Sequence, residues 1–125
     1  MLRNIFWIAI GGGMGASARY LIGIWAHLRW GSDVPWGTWI VNLLGSFLIG
    51  LLASWFVGIE DADRLRLLFI TGFLGAFTTF STFSMETVSL LQKNETGLAL
   101  LNIFGSVVLG IAFCILGIYA GKQLA

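Results

Sequence analysis

Charge is scarce in this 125-residue chain: seven Lys or Arg and six Asp or Glu make up 10% of it, against 58% hydrophobic residues. Soluble domains carry about a quarter charged residues, so this balance excludes that class and leaves no basic face for nucleic acid. A single cysteine, Cys114, excludes an intrachain disulfide and reads as a small buried hydrophobe. The only proline, Pro35, precedes an apolar run instead of interrupting one, so no helix is expected to kink at proline. His27 is the only histidine, and without a His, Cys and carboxylate cluster no metal-dependent or nucleophilic centre can be drawn. No catalytic residue is expected, and the chain is not read as an enzyme. It also lacks a GxxxxGK[ST] phosphate loop and a deeply placed acidic residue, which removes the usual signs of ATP-driven and proton-coupled pumping.

What is present is length of apolar sequence. Four runs, Ile5 to Leu28, Trp36 to Ile59, Leu67 to Leu91 and Thr96 to Gly121, each exceed the roughly 20 residues a helix needs to cross the hydrocarbon. The expectation is an all-α membrane protein of four transmembrane helices in one domain covering residues 1–125. The turn formers and most charges fall between the runs, in GSDVP at 31–35, EDADR at 60–64 and QKNE at 92–95. Such short connections make consecutive helices antiparallel neighbours, and four crossings put both termini on one side. Gly11, Gly12, Gly13 and Arg19 make the first run a poor cleavable signal, so it is read as a retained helix.

The charges that set orientation are nearly balanced. Arg3, Arg64, Arg66 and Lys122 lie on the side of the termini and Arg29 and Lys93 on the other, with Arg19 inside a span. Short cytoplasmic loops normally hold a clear Lys/Arg excess. Two readings follow: a modestly biased protein with both termini inside, or a chain that inserts both ways and pairs with an inverted copy.

Small and polar residues inside the spans carry the functional signal. NLLGSFLIG (42–50) and NIFGSVVLG (102–110) share the pattern N-x-x-G-S-x-x-x-G, which places an amide, a hydroxyl and a bare backbone on one face of the second and fourth spans. The Ser46/Gly50 and Ser106/Gly110 pairs are spaced for close helix approach. Asn102 reads as a packing residue bonded across helices, and Asn42 equally as a packing amide or an anion donor. In the first span, GGGMGASAR (11–19) predicts a tight seam at Gly11 and Gly15. Arg19 either draws anions into a vestibule or bridges the structure, since an intramembrane cation needs water or a partner. The third span holds GFLGAFTTFSTFSMET (72–87), where Gly72, Gly75, Thr78, Thr79, Ser81, Thr82 and Ser84 predict a break in the helix. Broken backbone at membrane depth must be enclosed or line a cavity. Phe77, Phe80 and Phe83 recur every three residues among those hydroxyls, and the positive edge of a phenyl ring can face an anion.

Taken together, GGGMGASAR, GTWIVNLLGSFLIG, GFLGAFTTFSTFSMET and NIFGSVVLG resemble the small bacterial fluoride channels of the Fluc family, also called CrcB, along essentially the whole chain. The resemblance implies an antiparallel, dual-topology homodimer in the bacterial cytoplasmic (inner) membrane, with a broken third helix, two pores and passive, fluoride-selective export that relieves fluoride toxicity. It implies ring-edge contacts from Phe80 and Phe83, a pore amide at Asn42, and a polar track at Ser81 and Thr82, with Ser106 a further pore candidate. It also implies a structural sodium ion (Na+) at the dimer interface, held by the main-chain oxygens of Gly75 and Thr78. Arg19 would belong to a vestibule, and Glu86, near the end of the third span, can face one. Partners are then fluoride, a second copy of the chain and the lipid bilayer. Two other classes use four small spans. A dimeric multidrug exporter would need an acidic coupling group that the first span lacks, and an assembly factor would need only the small-residue seams.

Overall fold

The computed structural model describes residues 1–125 and is entirely helical. Helix α1 spans Leu2–Trp30 and α2 spans Trp36–Trp55, extended by a 3-10 turn at Phe56–Gly58. The third crossing is composite: α3 at Asp63–Leu65, a π-helical stretch at Arg66–Leu74, α4 at Gly75–Phe77 and α5 at Phe80–Gln92. Helix α6, Thr96–Leu124, closes the chain. The four crossings, Leu2–Trp30, Trp36–Gly58, Asp63–Gln92 and Thr96–Leu124, are each long and apolar enough to span a bilayer. Gly31 ends α1 at φ 79°, a conformation open to a residue without a Cβ, and its N–H bonds to the His27 carbonyl.

The predicted break is present. Thr78 (φ −83°, ψ 154°) and Thr79 (φ −146°, ψ 120°) are extended, and helical geometry resumes at Phe80. The break also separates the phenylalanines that are evenly spaced in sequence. Phe77 lies before it, 2% exposed, packed with Val41 and Leu74. Phe80 and Phe83 lie beyond it with ring centroids 5.7 Å apart, so the three do not form one stripe. The long π-helical stretch has no counterpart in the sequence pattern. Such wide turns occur mostly as single-turn bulges near functional sites.

Glycines decide which helices meet. A Cβ on Gly11 would collide with the Leu68 carbonyl, one on Gly15 with the Phe73 carbonyl, and one on Gly72 would stand 2.8 Å from the Ile8 oxygen. These residues press α1 against the π-helical stretch. On the other side, added Cβ atoms at Gly50, Gly117 and Gly121 would meet the carbonyls of Cys114, Phe47 and Leu51, pressing α2 against α6. Gly110 takes a looser part, with Ser46 Oγ 3.6 Å from its Cβ position. Consecutive helices do touch, as where Gly37 of α2 approaches Gly23 of α1. The tightest seams nevertheless join alternate spans, first with third and second with fourth, where an added Cβ would run into a main-chain oxygen of the facing helix. Close backbone approach gains dispersion contacts where lipid offers no hydrophobic drive for helices to associate. The other surface is apolar, with Leu21, Phe104, Val108 and Ile115 all more than half exposed, as suits contact with acyl chains.

Candidate functional site

The break frees backbone groups that must be satisfied inside the membrane, and two side chains from other helices do this. Asn42 of α2 accepts from the Thr79 N–H at 2.8 Å through Oδ1 and donates to the Thr79 carbonyl at 3.0 Å through Nδ2. Arg19 of α1 donates from Nε to the Ala76 carbonyl at 2.9 Å, placing a cation at the carbonyl end of α4, where the helix dipole favours it. The two readings of Arg19 are therefore compatible: Nε forms a bridge, while the residue also lines a groove with His27, Thr38, Thr79 and Thr82. Thr79 caps α5, its hydroxyl accepting from the Thr82 N–H at 3.2 Å. The Thr78 hydroxyl donates to the Leu74 carbonyl at 3.0 Å. Hydrogen bonds around the break thus use the carbonyls of Leu74, Ala76 and Thr79, while no side-chain bond and no turn or cap bond reaches those of Gly75, Phe77 or Thr78.

A second groove of about 370 Å³ opens on the other side of the break. Asn42, Ser46, Thr78, Thr79 and Ser106 supply its polar groups, and Phe80 and Phe83 flank it, with Gly75 also on its wall. No residue lining it is charged. Its chemistry is that of amide and hydroxyl groups beside aromatic rings. Such a lining can replace the water of a small anion without holding the ion in the deep well of a fixed cation. Thr79 lines both grooves, so the break is the point at which they meet.

The expected site residues divide between these two spaces. Asn42, Phe80, Phe83, Ser106, Gly75 and Thr78 come together in the uncharged groove. Thr82 lies with Arg19 in the other. Ser81 is exposed, its hydroxyl 3.4 Å from that of Thr79. Glu86 lines neither of these grooves: its carboxylate accepts from the Thr38 hydroxyl, near a small cavity containing Asp33 and Lys93. Thr79 is not among the site residues expected from the sequence, although it pairs with Asn42 and Thr82 and lines both grooves. Its signal was a hydroxyl three residues before Thr82 at the start of a helix, and its pairing with Asn42, 37 residues away, leaves no local pattern.

A family model described as "CrcB-like protein, Camphor Resistance (CrcB)" matches residues 6–118. The chain belongs to the CrcB family. Curated members extend the match over nearly the whole length. It is 43% identical over 122 residues to the fluoride-specific ion channel FluC of Agrobacterium fabrum, covering 97% of this chain and 98% of that one. The FluC protein of Hydrogenovibrio crunogenus is 48% identical over 117 residues, or 93% and 89% of the two chains. That of Magnetococcus marinus is 46% identical over 122 residues, or 97% and 99%.

Proposed function

We propose that this protein is a passive, fluoride-selective channel of the bacterial cytoplasmic membrane that exports fluoride and relieves its toxicity. It belongs to a family of channels, not enzymes. The observation that carries the reading is the uncharged groove at the break, where Asn42, Ser106, Phe80 and Phe83 converge. Fluoride is small and strongly hydrated, so a narrow path must return much of its hydration through directed donors and positive ring edges. The guanidinium of Arg19 stands in the adjoining groove and raises anion concentration there, while Ser81 and Thr82 extend the hydroxyl track along α5. Weak acid entering as HF ionises inside the cell, and the resulting gradient drives fluoride outward without coupling.

In this reading two copies assemble in opposite orientations and form two pores. The monomer leaves a row of apolar side chains uncovered on α5: Phe80 at 79% exposure, Met85 at 70%, then Val88 and Leu91. Phe80 can line an enclosed path only if something covers that face, and the near balance of loop charges suits an inverted copy. The carbonyls of Gly75 and Thr78 fit a structural sodium ion in chemistry, being neutral oxygens that no side-chain, turn or cap bond reaches, and no group of His, Cys, Asp or Glu offers another metal site. Sodium would supply positive charge between the two breaks, and its removal should weaken assembly more than it alters driving force.

Reconstitution into liposomes, with fluoride, chloride and proton movement followed separately, tests the function. The expected result is rapid fluoride efflux without chloride and without stoichiometric proton movement. Comparable chloride flux, or fluoride movement strictly tied to protons, would overturn it.

A further inference from the structure

The repeated pattern N-x-x-G-S-x-x-x-G is only half explained by the break. Its first copy supplies Asn42, which grips the backbone of Thr79 just before α5. Its second copy supplies Asn102, which is fully buried on α6 and lines neither groove. Asn102 Nδ2 donates to the Thr87 hydroxyl at 2.8 Å, and that hydroxyl donates onward to the Phe83 carbonyl at 2.8 Å. Asn102 Oδ1 accepts from the Trp39 indole N–H at 2.6 Å and from the Ser106 hydroxyl at 3.4 Å. The two equivalent asparagines therefore hold the same short helix at two levels, one at its start and one two turns along.

We infer that Asn102, oriented by Trp39, is a positioning residue for the anion path, acting through Thr87 on Phe83 and directly on Ser106. This rests on the channel reading for its functional consequence, but the geometry stands apart from it. Each polar group of the chain is matched: an indole that only donates, an amide that does both, and a hydroxyl that accepts from one neighbour and donates to the next. A rigid amide at the centre sets the height and rotation of α5, and with them the direction of the Phe83 ring. The two bonds to Oδ1 are unequal, and the inequality has a use. When Ser106 turns its O–H toward an ion in the groove, Oδ1 keeps the short bond from Trp39, so no buried acceptor is stranded. Trp39 thus lets Ser106 alternate between an internal partner and the ion. At metal sites, removing the outer partner of a ligand costs about ten- to a hundredfold, and the lower end of that range is expected here.

The test uses the full-length protein with 4-fluorophenylalanine at Phe83, read by 19F NMR in micelles, alongside fluoride and chloride flux per assembled protein in liposomes. The variants are Asn102→Leu, Thr87→Val, Thr87→Ser and the double variant Asn102→Leu/Thr87→Val. Thr87→Val and Asn102→Leu should each shift or split the fluorine line and lower fluoride flux about tenfold. The double variant should be no worse than either alone, because all act through one chain of bonds. Thr87→Ser, which keeps the hydroxyl, should restore both line and flux, a recovery that volume-based packing would not produce. Thr87→Val is isosteric and decides the matter if Asn102→Leu fails to assemble. An unmoved fluorine line in Thr87→Val overturns the inference whatever the flux. A moved line in a protein whose wild type carries no fluoride keeps the positioning role and removes the channel reading instead.

Discussion

Replacing Asn42 by leucine keeps most of the side-chain volume and removes both bonds to Thr79. The Thr79 N–H and carbonyl would each lose their partner inside the protein. An unsatisfied buried donor or acceptor costs about 1–3 kcal/mol; Thr79 is half-buried and lines both grooves, so the two groups together should cost about 2 kcal/mol, the low end. Asn42→Asp is the informative companion. A carboxylate still accepts from the Thr79 N–H, but its second oxygen faces the Thr79 carbonyl oxygen and brings a charge to membrane depth, so the loss should be at least as large. It also places an anion at the wall of a groove that otherwise has no charge, which should repel fluoride and stop flux. Both variants should lose stability in reversible unfolding from mixed micelles, and aspartate should match or exceed leucine in loss of flux. If Asn42→Leu unfolded within about 0.5 kcal/mol of wild type, the level of an ordinary surface substitution, the clamp on the break would be refuted.

The seams give a sharper contrast. Gly117→Ala brings a Cβ against the Phe47 carbonyl and should cost about 1–3 kcal/mol, while Gly97→Ala, with open space around it, should be neutral or slightly stabilising in the same unfolding measurement. Phe80→Ile and Phe83→Ile should leave assembly intact and depress fluoride flux strongly. Phe73→Ile, which disturbs a ring stacked on Phe77 at 5.4 Å and away from the groove, should change stability more than flux; equal flux in all three would remove the ring-edge mechanism. A tag on the C-terminus should be reachable from both faces of the membrane, and labelling from one face alone would exclude opposed orientations.

Much of the architecture was legible because it follows from local chemistry. The second and fourth helices begin at Trp36 and Thr96, where the apolar runs begin, and the break falls inside the glycine-hydroxyl cluster of the third. The pairing of Gly11 and Gly15 with a close neighbour was also visible in their spacing. Which neighbour was not, since a bare face shows that a backbone can approach without saying whose. The same holds for the polar contacts: Arg19 reaches Ala76 across 57 residues and Trp39 reaches Asn102 across 63. Each partner looks ordinary alone, a main-chain oxygen in one case and an interfacial-looking tryptophan in the other. The phenylalanines show how an even spacing in sequence can run across a change of backbone, here the extended Thr78 and Thr79. Only the backbone conformation of those two residues separates the buried ring from the exposed one.

The alternation of the glycine seams bears on how the chain is made. During synthesis α1 leaves the ribosome first, but the backbone it fits, around Leu68 and Phe73, belongs to the third crossing. Helix α2 waits longer still, since its seam lies on Gly117 and Gly121 near the end of the chain. A nascent chain with two crossings inserted therefore has neither of its tight seams. The first can close only after the third crossing emerges, and the second only after the fourth. Insertion and packing are thereby separated in time, and truncation within α6 before Gly117 should leave a half-assembled chain with one seam closed, exposed to membrane quality control.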